Sequence, residues 1–404
     1  MVAGESVFIL PFLLSRIFRP TFLSVFQLTN FELGSLYSIY GIIAMLSYVF
    51  GGAIADRFAP KKLMAISLIM TAMGGYLLAT FPSYYILQFI YAYWGFSTIF
   101  LFWAAMIKAT RSWGGLNRQG KAFGLLEGGR GIVAASIGAL GVAVFALFLP
   151  EHIQSTSFGD RQNAFRAVIL LASSMIIVIG FLVLLFLKNN IIQTKSTVSK
   201  KASWEKILKV IKIPAVWLLV LIVLSAYVGY KVTDILSLYA AEVMLFDEVN
   251  AARVGSYQMY LRPIVCISIG FFADHTSNSI WLIIGFIILL VGALMFASGN
   301  VQPPLNALFF LSVIITGIGT YGLRTLYFAS IQEGNIPYAI TGTAVGVISI
   351  IGYTPDIFMG PIMGQLLDQN PGVKGHQYVF GLLAVFAFIG LITSIKFRSM
   401  VKKK

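Results

Sequence analysis

Charge is scarce in this 404-residue chain, with only 11% of positions Asp, Glu, Lys or Arg, where soluble domains carry about a quarter. That scarcity excludes a soluble two-domain enzyme, whose helices or strands would show a polar face at a regular period. Cysteine is almost missing: the lone Cys266 lies in an apolar run, which excludes a disulfide framework and a cysteine metal site. The three histidines, His152, His275 and His376, are scattered and make no ligand pattern. A membrane-embedded enzyme would need a nucleophile–base pair or clustered metal ligands, and neither is visible, so no catalytic, metal or cofactor site is expected. The glycines Gly128, Gly129, Gly131 and Gly138 follow no strand and precede no Gly-Lys-Ser/Thr, so close helix packing explains them better than a nucleotide loop. No signal-peptide cleavage pattern accompanies the first apolar stretch.

What is abundant is apolar sequence, 58% of all positions, in blocks matching the roughly 20 residues that cross a bilayer as a helix. Breaks at charged, Gly, Pro and Asn positions predict helices over 2–27, 32–55, 62–81, 84–109, 120–149 and 163–188. The pattern resumes over 212–241, 251–273, 279–298, 304–331, 337–367 and 377–398. The expected architecture is an all-α membrane protein of twelve transmembrane helices in two six-helix bundles, 1–188 and 212–404, joined by a polar linker over 189–211.

The net charge of +14 does not indicate nucleic acid, because the basic residues gather at helix ends and in the linker, where orientation in a bilayer is set. Lys195, Lys200, Lys201, Lys206 and Lys209 face one acid, Glu205, in the linker. Arg57, Lys61, Lys62, Arg111, Arg118, Lys121 and the tail cations Lys396, Arg398 and Lys402 fall on the same side. The opposite loops hold Glu151, Asp160, Asp247, Glu248 and Asp368. A cell inner-membrane protein, monomeric, with both termini cytoplasmic is expected.

A weak internal repeat is present. Gly52-Ala-Ile-Ala-Asp56-Arg57 closes the second helix and Gly270-Phe-Phe-Ala-Asp274-His275 closes the eighth, while Arg16 and Lys231 precede them at similar depth in the first and seventh helices. Duplicated halves would produce this.

The stretch GGAIADRFAPKK, from Gly51 to Lys62, resembles the G-x-x-x-D-R-x-G-x-R-K loop signature of the major facilitator superfamily. Ala59 stands where that signature has Gly, Pro60 follows it, and the second copy lacks its basic residues. Within the superfamily the chain looks most like organophosphate:phosphate antiporters and related bacterial sugar-acid carriers, on Arg16, on Trp113 with Arg118 and Gly120, and on Lys231 ahead of Asp234. The resemblance implies that Arg16 and Lys231, at the places of a basic pair in helices one and seven, bind an anion such as phosphate. It places Arg130 near a substrate-site histidine position of those carriers. It further implies that Asp56 and Arg57 belong to a loop charge relay that latches one conformation; Asp56 can also satisfy a positive helix amino terminus, and a topology role for Arg57, Lys61 and Lys62 stands beside that.

Five cations fall inside the predicted helices: Arg16, Arg130, Lys231, Arg262 and Arg324. Charges at such depth cost about 2.5–3.5 kcal/mol on insertion scales, so they are expected to line a cavity rather than face lipid. The inner acids are fewer, namely Glu5, Glu127 and Asp234. The positive excess predicts an anionic ligand between the bundles. Residues three apart share a helix face, which predicts the pairs Glu127–Arg130 and Lys231–Asp234, either as helix-holding pairs or as gating pairs that a substrate anion opens. Pro263 frees a backbone carbonyl beside Arg262. Tyr227, Tyr230, Tyr321 and Tyr327 lie near Lys231 and Arg324 in sequence and offer hydroxyls to a sugar, although packing or interfacial anchoring serves equally for any single tyrosine.

The functional expectation is a secondary active transporter of a small organic anion, whether sugar phosphate, sulfonated sugar, hexuronate or similar acid, coupled to protons or a counter-anion. A non-transporting sensor on the same scaffold is the alternative; the chain has no soluble domain for signalling. Lys at 231, in place of Arg, lacks the two-pronged geometry suited to phosphate or carboxylate.

Overall fold

The computed structural model describes residues 1–114, 119–149, 157–187, 207–327, 329–334, 336 and 340–402. Arg118, Glu151 and most of the basic linker lie outside the described residues, as do the side chains of Asp56, Arg111, Lys121 and Asp274. Every element among the described residues is helical. Twelve of the longer helical stretches, in chain order, are labelled α1 to α12.

The first stretch, α1, runs through Val2–Ser6, Ile9–Leu13, Leu14–Ile17 and Arg19–Phe26. Then come α2 (Asn30–Arg57), α3 (Pro60–Leu78), α4 (Tyr84–Phe96, Ser97–Trp103 and Ala104–Gly114), α5 (Gln119–Leu147) and α6 (Phe158–Phe186). After the linker follow α7 (Pro214–Val232, Thr233–Ile235 and Leu236–Glu242), α8 (Glu248–Asp274), α9 (Asn278–Ala297), α10 (Asn306–Leu326), α11 (Thr341–Gly352 and Pro355–Gln369) and α12 (Val373–Lys402). A short helix, Ser330–Glu333, follows α10. Among the described residues nine helices are long and apolar enough to cross a membrane, ten when the bent pair within α1 is one span. The other two, α2 and α8, are continuous helices of 28 and 27 residues, long enough for a bilayer core of about 30 Å at 1.5 Å per residue.

Local sequence explains several ends. Thr29 and Glu32 form a reciprocal capping box that starts α2, and Ser157 with Asp160 does the same for α6, each satisfying orphan N–H groups of a first turn. The continuous first helix expected over 2–27 is broken instead: its halves Ile9–Ile17 and Arg19–Phe26 meet at 105°. Phe18 leaves helical geometry, and Pro20 opens the second half. Likewise α7 tightens over Thr233–Ile235, and α11 is interrupted just before Pro355, which supplies no N–H.

The chain sorts into two compact units. The first holds Met1–Ile192 with Asp234–Pro263 and Gly360–Asp368, and the second holds Gln193–Thr233, Ile264–Met359 and Gln369–Lys404. In the first unit, α11 approaches α2 through glycines: a Cβ on Gly34 would overlap the Gly360 carbonyl, and one on Gly364 would overlap the Asn30 carbonyl. Gly360 and Gly364 are one turn apart, the spacing that lets helix backbones touch in a membrane. Asp368 then accepts from the Asn30 and Phe31 N–H groups at 3.0 and 2.8 Å, placing a negative charge at the amino end of α2. Gly34→Val is expected to lower stability by about 1–3 kcal/mol by overpacking. Gly381→Ala, where a Cβ meets nothing within 4 Å, should leave it unchanged. Parallel thermal-unfolding curves of the two variants check the contrast.

Candidate functional site

Helix breaks position the charged side chains. Pro20 removes the N–H that a continuous helix would direct to the Arg16 carbonyl, and the hydroxyl of Ser237 on α7 donates to that carbonyl at 2.7 Å. The same two segments are joined by an ion pair, Arg16 Nε to Asp234 Oδ1 at 2.5 Å, with both side chains buried. One turn on, Arg19 is fully buried and donates from Nε and Nη2 to Asn30 Oδ1 at 3.2 and 3.0 Å. Glu248, opening α8, meets Arg161 at 2.5 Å and accepts from Thr21 at 3.4 Å.

Four further groups of the first unit close a ring. Arg130 on α5 contacts Glu5 through Nε at 2.9 Å and Glu127 through Nη1 at 2.7 Å. Arg262 on α8 contacts the same two acids, Glu5 at 3.4 Å and Glu127 at 2.9 Å. Each guanidinium thus bridges both carboxylates, and each carboxylate gives one oxygen to each arginine. Two positive and two negative charges satisfy one another, which is how buried charge is tolerated at all. Arg130 also lies against the rings of Phe8 and Trp103, at 5.5 and 5.9 Å. Gly131 leaves room for Pro263 and Arg262 beside α5, since a Cβ there would meet the Pro263 ring at 3.0 Å. The Glu127 side chain is 45% exposed, whereas the other three members of the ring are buried.

The second unit holds a different cluster. Lys231, buried in the last turn before the α7 break, reaches Asp356 Oδ1 at 3.3 Å. The Tyr227 hydroxyl donates to the same carboxylate at 3.0–3.1 Å. Arg324 of α10 stacks over the ring of Tyr230 at 3.8 Å and stands 5.8 Å from that of Tyr227. The ring of Tyr353 packs at 4.7 Å on Tyr227, and its hydroxyl pairs with that of Tyr327 at 3.2 Å. Two cations and one carboxylate are thus set among four tyrosines. Asp356 occupies the first turn of Pro355–Gln369, where the helix dipole favours an anion.

These arrangements answer the sequence expectations unevenly. Glu127 and Arg130 pair as the three-residue spacing predicts, and both belong to the larger ring. Beside the Lys231–Asp234 pairing expected from their spacing, Lys231 meets Asp356 and Asp234 meets Arg16. Tyr230 and Tyr327 join the cluster around Lys231, and Tyr321 is fully buried on α10. Arg57 is exposed at the end of α2, and the Asp56 side chain lies outside the described residues. Sequence reading missed Asp356 and Arg19. Both sit beside a proline that marks a break, and Thr354-Pro355-Asp356 is a helix-start signature inside a stretch read as one continuous helix.

The family profile of the Major Facilitator Superfamily matches residues 6–358, most of the chain. The protein belongs to the Major Facilitator Superfamily. It is therefore a transporter and not an enzyme, built as an all-helical multi-pass membrane protein. Two curated relatives of this superfamily chain come from Escherichia coli strain K12. Inner membrane protein YqcE is 27% identical over 89% of this chain and 86% of its own length, and inner membrane protein YihN is 27% identical over 98% and 92%. Among solved structures, a bacterial homologue of the human lysosomal transporter Spinster, in an inward-facing and occupied conformation, aligns with TM-score 0.74 at 14% identity, covering 98% of this chain and 95% of its own. The nucleoside transporter NupG aligns with TM-score 0.69 at 15% identity, covering 100% of both chains. At such identities the likeness establishes the major facilitator fold alone.

Proposed function

We propose that the protein is a secondary active transporter that moves a small organic anion by alternating access. The carrying observation is the cluster of the second unit, where Lys231 meets Asp356 and Arg324 stacks on Tyr230 inside a tyrosine cradle. A buried lysine beside a half-buried arginine favours an anion, and the tyrosine hydroxyls and ring faces suit the hydroxylated body of a sugar acid or sugar phosphate. The charge-balanced ring of Glu5, Glu127, Arg130 and Arg262 and the Arg16–Asp234 pair serve as gating groups on this reading. The names of the two E. coli relatives support an inner-membrane location, and the distribution of lysine and arginine supports cytoplasmic termini. The chain-order division into bundles 1–188 and 212–404, working as a monomer with proton or counter-anion coupling, completes the proposal.

Reconstitution into proteoliposomes tests it with labelled D-glucuronate, glucose 6-phosphate and a sulfonated sugar. At least one should accumulate, and Lys231→Gln should reduce its uptake by about tenfold or more, the effect of about 1.4 kcal/mol lost from binding. Uptake of a neutral nucleoside with rejection of every anion would overturn the assignment.

A further inference from the structure

Arg16, Arg130, Lys231 and Arg262 each meet a carboxylate. Lys209 and Lys212, just before α7, and Lys396 and Arg398, near the end of α12, make no ion pair or side-chain hydrogen bond among the described residues. Packing within the second unit brings these four to one corner. A Cβ on Gly334 would meet the Ala215 Cβ at 3.4 Å and the Phe397 ring at 3.5 Å. The start of α7, the end of α12 and the end of the short helix Ser330–Glu333 therefore converge there. Lys212 stands three residues before Ala215, and Lys396 and Arg398 flank the fully buried Phe397. Lys209 lies on a helical turn, 207–211, which is tied to α7 because Trp217 Nε1 donates to the Ile211 carbonyl at 2.8 Å. Glu333, the acid of this corner, accepts from the Asn278 and Ser279 N–H groups at 2.6 and 3.0 Å. It completes the start of α9 rather than answering a cation.

Hydrocarbon adjoins each pair of cations. Lys209 and Lys212 alternate with the exposed Leu208 and Ile211, while Lys396 follows the exposed Ile395 and stands one turn beyond the exposed Ile392. A ligand at this corner meets positive charge and apolar surface together, a combination that suits a charged head carrying acyl chains. Trp217, also exposed, is a residue type that settles at the headgroup level of a bilayer. We propose that the corner where α7 begins and α12 ends is a site for an anionic phospholipid. Lys209, Lys212, Lys396 and Arg398 hold its phosphodiester, and its chains lie along the neighbouring apolar side chains. Basic pockets between membrane helices recognise phosphate headgroups in this way, and a headgroup without an ammonium of its own gains most. Topology explains why these cations share one side of the membrane. It does not require that a segment opening the C-terminal half and a segment closing it should meet. The site is independent of the cargo cluster and of the cargo's identity.

The test is lipid binding to the purified, delipidated protein in neutral detergent, read by native mass spectrometry and by the unfolding midpoint, which a ligand of the folded state raises. Phosphatidylglycerol and phosphatidylcholine with identical acyl chains are the probes. Glycerophosphoglycerol supplies the anionic headgroup without hydrocarbon. Phosphatidylglycerol should bind at least about tenfold more tightly than phosphatidylcholine, and glycerophosphoglycerol at the same concentration should not displace it. Lys212→Gln combined with Lys396→Gln should weaken phosphatidylglycerol by about tenfold or more. Lys61→Gln combined with Lys62→Gln, at the start of α3 in the first unit, should leave its affinity unchanged. Equal affinity of the wild type for the two lipids overturns the proposal, as does unchanged affinity in the Lys212 and Lys396 variant. An equal loss from the α3 pair overturns it by reducing the effect to diffuse charge. Displacement by glycerophosphoglycerol overturns it in favour of a soluble anion. Should the Lys212 and Lys396 variant fail to fold, Lys209→Gln combined with Arg398→Gln carries the same comparison, and the lipid preference of the wild type decides by itself.

Discussion

Arg130→Met is expected to lower the stability of the purified protein by about 3–5 kcal/mol, the range for removing one partner of a buried ion pair, and to abolish uptake. Arg130 makes the two shorter contacts to Glu5 and Glu127 in its half of the ring, at 2.9 and 2.7 Å. Without it, Glu5 keeps Arg262 at 3.4 Å, and a buried carboxylate is left with half its charge-assisted bonds. The penalty comes from the stranded charge rather than from the lost attraction, so the compensating pair behaves differently. Arg130→Met combined with Glu5→Gln restores neutrality and should cost less than the sum of the single substitutions. A double-mutant cycle measured by thermal or denaturant unfolding gives this coupling directly, and residues sharing a network commonly show about 0.5–3 kcal/mol. Strict additivity would show that the ring does not act as a unit. Glu127→Gln should be the mildest single change, because that side chain is 45% exposed and water replaces part of what it loses.

The second large effect belongs to Arg16 and Asp234. Asp234→Asn strands a buried guanidinium whose Nε lies 2.5 Å from the carboxylate it would lose. We expect a loss of about 3–5 kcal/mol and a fall in uptake of at least about tenfold. The exchange Arg16→Asp with Asp234→Arg restores opposite charges at the same place and should recover most of the stability. It should not recover transport if Arg16 also contacts the cargo. Full recovery of both would make the pair purely structural, and recovery of neither would show that the backbone bond from Ser237 to the Arg16 carbonyl depends on which residue stands there.

Much of the fold was legible because bilayers impose a simple rule. Backbone groups in hydrocarbon must be satisfied within the segment, so long apolar runs have to be helices. The runs over 62–81, 279–298 and 377–398 are found as Pro60–Leu78, Asn278–Ala297 and Val373–Lys402. The capping boxes at Thr29 and Ser157 also have a sequence signature, with both partners three residues apart, though the starts expected at 32 and 163 did not use it. The Glu127–Arg130 pair was legible from its three-residue spacing.

What could not be read is everything that depends on a break. Pro20 and Pro355 are visible in the sequence, but whether a proline kinks a helix or divides it depends on what satisfies the freed carbonyl. Ser237, more than two hundred residues along the chain from Arg16, does so for one of them.

Hydropathy and charge are properties of short windows, so a helical membrane protein with a surplus of cations at depth could be read from the chain alone, and the Gly51–Lys62 loop added the resemblance to the major facilitator superfamily. Which acid answers which base is set by the packing of the helices. Arg262 meets Glu5 across 257 positions and Lys231 meets Asp356 across 125, and the bend in α1 turns its two halves in different directions. Ion pairing follows distance in space, and the breaks that set those distances are stabilised by groups remote in the chain.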